Sequence, residues 1–435
     1  MGDIMNEFVV KRSFKSPIAT GAAGFAICLI ASLIYWPVWG SVSRYIILLF
    51  GAPGLEAVDA KTAGKFVQVF AEATFFWMII NAWIWQTLVF GGYGKYALTK
   101  RQPGAGIWYT LFGLAVGLAG FMIITGFTGI WWKPFSLSIL FTPQNAAEVH
   151  LAIEGWEASN FYALAVILAN IGYVALFHKW PFAGNIRAPW DGVGAMSLSS
   201  YFCLLVWFAL ILPSLLNLNI GDHRVVSKPM GSWPTFVAYA QCFIWCFLIP
   251  AEGGENYPMR LFAKKQPLMG IVGLVISLVM SYGMLRVLQA VIHPLDLMPG
   301  VPADVPVASL ALSIVIATLL WHHVFDDWPS GERVQNEAAR VFIRIGIWIT
   351  LGLGLGFLWL KTFRSLPFGA NDLGYGFPVM GILAGQFVFL MCFLYYNTFF
   401  DKWPLVRRVP VTAAKPVLAV QGDAGERERI AIPAG

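Results

Sequence analysis

Two polar stripes enter apolar stretches of the chain at i, i+3, i+7 spacing: Lys65, Gln68 and Glu72 in one, Arg286, Gln289 and His293 in the other. That spacing puts each set on one face of a helix. Glu72 is the sharper case, because it is the one acidic residue inside any of the apolar stretches. An ionisable group within a membrane faces protein or water and marks a candidate functional position. Glu72 could couple protons or pair with Arg286, while Lys65 and Arg286 are close enough to helix ends to snorkel to the headgroups. Amides deeper in the stretches, Asn81, Gln86, Asn170, Gln241 and Gln386, would line a polar path or form interhelical hydrogen bonds worth about 1 kcal/mol each.

A second group lies at helix ends, His178, His322, His323, Asp326 and Asp401, and with Glu252 and Glu255 it would crowd together if the repeated helix ends converge. Histidine and carboxylate mixtures suit Fe, Mn or Zn. No HExxH, HxxxH or CxxC spacing accompanies them, and polar helix ends account for such residues without a metal. No histidine lies deep enough in an apolar stretch for haem ligation. Walker, glycine-rich phosphate and nucleophile-elbow motifs are also missing. The sequence therefore assigns no catalytic residue, no metal and no cofactor.

The elements that must position these residues follow from composition. Of 435 residues, 58% are hydrophobic, 15% aromatic and 12% charged, against about 25% charged in a typical soluble domain. This excludes a secreted disulfide scaffold, a nucleic-acid binder and a disordered chain. Apolar runs of about 20 residues cross a bilayer as helices. Ten can be read: 17–37, 66–90, 107–128, 159–177, 196–216, 233–250, 268–291, 307–325, 341–360 and 377–400. The first lacks a small-residue cleavage site and ends in the aromatic anchor Tyr35-Trp36-Pro37-Val38-Trp39, so it reads as a retained helix. With ten spans, 20 of the 29 Lys and Arg residues fall on the side holding both termini, which the positive-inside rule makes cytoplasmic. The basic balance then reflects topology and anionic lipid, not nucleic acid. All five cysteines fall inside spans, where buried thiols are expected.

The even spans end in recurring punctuation. It reads Lys100-Arg101-Gln102-Pro103 and Lys264-Lys265-Gln266-Pro267 after the second and sixth, and Phe-x-x-Trp-Pro at Phe177, Phe325 and Phe400 after the fourth, eighth and tenth. This suggests five helical hairpins in one orientation, a parallel repeat. Glycines concentrate on odd spans and aromatics on even ones. Since glycine lets backbones approach closely, odd helices are expected inside and even helices outside, facing lipid. Loop 41–62 should dip into the interface, and an interfacial helix is expected near 143–157.

The expected fold is thus an all-α polytopic membrane protein. A short N-terminal segment (1–16) and a C-terminal tail (405–435) flank a transmembrane domain (17–404), in the cell (inner) membrane with both termini cytoplasmic. The expected function is a secondary transporter or channel for a small polar or anionic solute, with the path past Lys65, Gln68, Glu72, Arg286, Gln289, His293, Asn81 and Asn170. The alternative is a membrane-anchoring subunit of a larger complex, with a protein partner holding the tail. Besides lipid and solute, a homo-oligomer is an expected partner state.

Overall fold

The computed structural model describes residues 8–91, 102–130, 132–206, 219–220, 223–224, 233–362 and 378–410. Among these the fold is almost wholly helical. The main helices are α1 (Pro17–Phe50), α2 (Ala60–Phe75, continued by the π-helical turns Phe76–Asn81 and Ile84–Val89), α3 (Gly104–Thr128), α4 (Ala146–Phe177) and α5 (Trp190–Val206). They continue with α6 (Trp233–Ala251), α7 (Leu268–Ile292), α8 (Asp304–Phe325), α9 (Glu337–Thr362) and α10 (Pro378–Thr398). Eight of these are long and apolar enough to cross a membrane, and α5 and the described stretch of α10 are shorter apolar helices. The starts are conventional caps: Thr62 N donates to Asp59 Oδ1 at 2.8 Å, and Glu148 N to Asn145 Oδ1 at 3.0 Å, satisfying donors that a helix N-terminus leaves orphaned.

Strand β1 (Phe8–Arg12) pairs antiparallel with β4 (Val406–Pro410), Phe8 opposite Pro410 and Arg12 opposite Val406. The short strands β2 (Asn219–Ile220) and β3 (His223–Arg224) form a separate ribbon. The β1–β4 ribbon brings the two ends of the described chain together on one face, here termed the terminal face. The expected tail therefore begins with an ordered strand, and residues 411–435 lie outside the described residues.

Three expectations change. Helix α1 does not stop near residue 37; it runs through Pro37 to Phe50, so half of the loop expected at 41–62 is helix. Residues 143–157 do not form a separate interfacial helix: from Ala146 they are the first turns of the 32-residue α4. Val149, Ile153 and Trp156, the face expected to lie on the headgroups, are buried in the protein. Glu157 accordingly shares a long helix with the fourth span.

The third change is the largest. The even helices are the inner layer: 83% of the apolar stretch is buried in α2, 71% in α4, 67% in α6 and 89% in α8, against 28% in α1, 17% in α3, 33% in α7 and 28% in α9. Side chains sew the even helices into a ring. Trp77 Nε1 of α2 donates to Ser159 of α4 (2.8 Å), and Trp245 Nε1 of α6 to Thr318 of α8 (2.9 Å). Gln386 of α10 accepts from Ser309 of α8 and donates to Ser313. Tyr395 of α10 donates to the Ile79 carbonyl of α2 (2.9 Å), while α4 and α6 pack directly. Glycine on the odd helices marks only the stripe that touches this ring. A methyl on Gly117 would come within 2.6 Å of the Trp77 carbonyl, and one on Gly352 within 2.5 Å of Ile314 Cα. The other faces of the odd helices carry exposed apolar side chains such as Ile123, Phe127, Val279 and Phe342, as a lipid-facing surface requires.

The odd helices attach by a recurring device. Near their starts, Gly21 of α1, Gly106 of α3, Gly192 of α5 and Gly270 of α7 seat Phe325, Phe400, Phe90 and Phe177, the phenylalanines at the terminal-face ends of even helices. Gln102 and Gln266 add a hydrogen bond to the carbonyls of Phe399 and Leu176, each at 2.7 Å. The Gln-Pro punctuation thus serves the start of an odd helix. Beyond the phenylalanines, two successive residues take left-handed backbone: His178 and Lys179, Asp326 and Asp327, Asp401 and Lys402. Glu255 and Asn256 do the same before Tyr257-Pro258, a fourth copy that lacks the Phe and Trp of the others. Asp, Asn and His tolerate this region better than most residues, which explains why polar residues occupy these corners.

Because backbone meets backbone at these glycines, Gly117→Val and Gly352→Val are each expected to destabilise the fold by about 1–3 kcal/mol through overpacking. Gly283→Ala, where a methyl meets nothing within 4 Å, is the control and should leave the midpoint unchanged or slightly raised. Thermal midpoints of the detergent-solubilised protein, read by fluorescence-detected size exclusion, check all three.

Candidate functional site

The even-helix ring encloses a cavity of about 590 Å³ toward the terminal face. All five even helices line it: Ile80, Trp83 and Ile84 from α2, Ile167 and Ile171 from α4, Gln241 and Leu248 from α6, Leu312 and Leu319 from α8, and Phe387 and Leu394 from α10. The walls are apolar apart from Gln241. The polar groups gather at one end, where His178, Glu252, Glu255, Asn256, His322, Asp327 and Arg344 join the lining. Volumes of this order are typical of small-molecule sites.

This polar end forms where the recurring device is absent. In the register of the corner turns, Gly254 stands where the other even helices have phenylalanine, and the start of α9 offers Arg340 and Arg344 where the other odd helices have glycine. The apolar lock is replaced by an ionic one. Arg340 Nε donates to Glu255 Oε1 at 2.7 Å, and Arg344 donates to the carbonyls of Gly253 at 2.7 Å and Pro329 at 3.0 Å. Both arginines are buried. Together they fix the 252–256 turn after α6 and the 327–329 turn after α8, and these carry Glu252 and Asp327.

His322, in the last turn of α8, is held between those two carboxylates. Its Nδ1 lies 2.6 Å from Asp327 Oδ2 and its Nε2 3.1 Å from Glu252 Oε2. His323 stands beside it with ring centroids 4.9 Å apart, its Nδ1 2.8 Å from the Asn397 amide of α10. Glu252, His322 and His323 each place one donor atom within 4.8 Å of the others. Burial pushes the Glu252 carboxyl above its ordinary range; nearby His322 opposes the shift and Asp327 adds to it. Burial lowers His178.

The residues expected to form a path distribute differently. Arg286, Gln289 and His293 do not line the cavity. Gln289 and His293 converge on Asp304 Oδ1 at the start of α8 (2.9 and 2.8 Å), and Arg286 donates to Gln289 from an exposed position. Thr235 of α6 also donates to Asp304, so this stripe ties three helices together. Glu72 does not meet Arg286; its Oε1 accepts from Gln68 at 3.0 Å. Asn170 bridges α4 to α5 by accepting from Ser199 at 2.7 Å. Among the helix-end residues, His178 and His322 reach the cavity, and His323 lies just behind it. Asp326 faces outward, bonded to Lys402 and 3.6 Å from Arg12, and both it and Asp401 occupy left-handed corners.

A polar strand nevertheless continues from the cavity toward the opposite face, between α2 and α4. Lys65 and Glu157 pair there at 2.7 Å. Seven residues on from Lys65 is Glu72, fully buried, and three on from Glu157 is Asn160. Two helical turns further, on the same face of α4, Ile167 lines the cavity. Among the described residues, Glu72 Oε2, both amide atoms of Asn160, both of Asn81 and both of Gln241 are buried without a hydrogen-bond partner. Buried polar atoms are almost always satisfied, and these carry hydrogen-bonding capacity that the described residues do not use. Asn160 carried no distinguishing spacing in the sequence, and only its helix partners reveal it.

Compared with known proteins, the chain matches no family model, no curated protein and no solved structure. Its function must be argued from this geometry.

The ionic lock is directly testable. Arg340→Ala leaves the Glu255 carboxylate with only the longer contact to Arg344 at 3.7 Å, and breaking one side of a buried pair typically costs about 3–5 kcal/mol. The thermal midpoint in detergent should fall by several degrees. An Arg340→Leu/Glu255→Leu double substitution, which removes both charges, should recover most of the loss.

Proposed function

We propose that the chain is a secondary transporter or channel that carries a small polar or anionic solute along the axis of the even-helix ring. The observation that carries this reading is the cavity of about 590 Å³ lined by all five even helices. Apart from Gln241, its polar groups gather at one end, and buried amides and the Glu72 carboxylate that lack partners among the described residues lead away from the other. An apolar wall with sparse polar groups lets a solute bind weakly enough to leave, which conduction requires. In this reading Glu72 and Asn160 are met first from the opposite face, then Gln241 midway, then Glu252 and His322 at the terminal face. Glu72 is the group placed to exchange a proton with the passing solute.

The same proposal includes ten spans, with α5 and α10 crossing beside the eight longer helices, arranged as five hairpins in one orientation. The repeated seating of a phenylalanine in a glycine, and the four left-handed corner turns, support it. The excess of Lys and Arg on the terminal face would set that face in the cytoplasm.

The test is flux through proteoliposomes, followed by light scattering, across a panel running from urea and glycerol to formate, acetate and nitrate. Accelerated permeation of at least one solute over protein-free liposomes is expected. It should drop at least tenfold in Glu72→Gln and in Gln241→Trp, which fills the cavity. No acceleration by the wild-type protein, together with co-purification of a stoichiometric partner, would favour an anchoring subunit instead. Flux untouched by Glu72→Gln would remove that residue from the mechanism.

A further inference from the structure

Two lone-pair-bearing atoms face each other at the terminal-face end of the cavity. Asp327 accepts at Nδ1 of His322 and so fixes the proton there, which leaves Nε2 as the acceptor side of the ring. Yet Nε2 points at a carboxylate oxygen of Glu252, 3.1 Å away. Two acceptors at that separation repel each other unless a positive centre lies between them. A proton held by His322 or by Glu252 is one such centre, and a metal ion is the other. The surroundings distinguish them. A second imidazole, His323, offers its donor atom within 4.8 Å of both, which a shared proton does not need and a metal does.

We propose that Glu252, His322 and His323 bind one divalent first-row transition-metal ion of the Fe(II), Mn(II) or Co(II) kind at the inner end of the central cavity. Two imidazoles and one carboxylate form the facial set that suits these ions and leaves further positions open. With metal–ligand bonds of about 2.1 Å, cis ligands of an octahedral ion lie about 3.0 Å apart, close to the separation of His322 Nε2 and Glu252 Oε2. His323, with a donor atom within 4.8 Å of the other two, supplies the third. Glu252 and His322 both line the cavity, so a solute there would reach the metal.

The supporting groups are already in place. Asp327 orients His322, as carboxylates commonly orient metal-bound histidines. Asn397 braces His323 from α10. Arg344, through the Gly253 and Pro329 carbonyls, holds the two turns that present Glu252 and Asp327. The ligands come from α8 and from the turn after α6, the place where the phenylalanine-in-glycine lock gives way to charge. The proposal does not depend on transport, since binding is read without flux.

The test uses full-length, tag-free protein in detergent, stripped with chelator and titrated with Co(II). Metal analysis should give about one cobalt per chain, with visible d–d absorption. His322→Ala and Glu252→Gln should weaken binding at least tenfold, and Asp327→Asn about 10–100-fold, the range for loss of an orienting carboxylate. His150→Ala, an exposed residue remote from the cluster, should leave binding unchanged. A measurement on the native chain guards against variants that fail to fold: Co(II) should protect His322 and His323, but not His150, from carbethoxylation read by mass spectrometry. Absence of stoichiometric cobalt, binding that survives His322→Ala, or no selective protection would overturn the proposal and assign the His322 and Glu252 pair a bridging proton.

Discussion

An aromatic-rich helix can sit at the centre of a membrane protein only if something approaches it closely enough to fill the gaps between its rings. Lipid chains cannot supply a hydrophobic force between helices, so contact area and close backbone approach decide which surfaces associate. In this chain the approach is made by glycine. Gly117 lies against the Trp77 carbonyl and Gly352 against the backbone of Ile314, while Phe90, Phe177, Phe325 and Phe400 each project into a glycine near the start of an odd helix. The ring of even helices, the outer layer around it and the cavity inside all follow from this complementarity. Trp77, Trp245 and Tyr395 then spend their polar atoms on neighbouring even helices, which turns an apolar contact into a specific one.

The place where the complementarity fails is the more informative one. At the end of α6 no phenylalanine is available, and the start of α9 has no glycine to receive one. Arginines fill the gap, and arginine in a buried position demands acceptors. Glu255 and the carbonyls of Gly253 and Pro329 supply them. Once two turns are fixed in this way, Glu252 and Asp327 are brought to opposite sides of His322. A local breach in an otherwise regular packing scheme thus delivers the densest polar cluster to the mouth of the cavity. Departures from local rules of this kind commonly mark function.

The apolar segments could be read from the sequence because hydropathy acts residue by residue and needs no partner. The layer order could not. Glycine content was read as a sign of central position, whereas glycine reports only that one stripe of a helix touches something closely. A helix such as α3 can have Gly113 and Gly117 buried on one side and Ile123 and Phe127 exposed on the other. For the same reason the stripe Arg286, Gln289 and His293 looked like a path. Its spacing does place three polar groups on one face, but Asp304, which uses two of them, belongs to the next helix and has no mark in the local pattern. Residues 143–157 misled through their amphipathic pattern, because the buried face of a long protein helix has the same periodicity as a headgroup-facing one.

The helix-end histidines and aspartates show how one sequence feature can hold two physical causes. His178, Asp326, Asp327 and Asp401 all occupy left-handed corners, and that backbone requirement alone selects Asp, Asn or His at such sites. Backbone geometry says nothing about where the side chain is spent, so sequence treats the four as equals. The packing separates them. Asp326 turns out to Lys402 and Arg12, whereas Asp327 turns in to His322. His322 and Glu252 stand outside the corners, one a residue of the last α8 turn and the other the first residue after α6. No capping rule calls for an imidazole facing a carboxylate there, and the two meet across the ends of α6 and α8. A residue whose type is not required by its own backbone, yet whose position is fixed by several neighbours, is the kind that serves something beyond the fold.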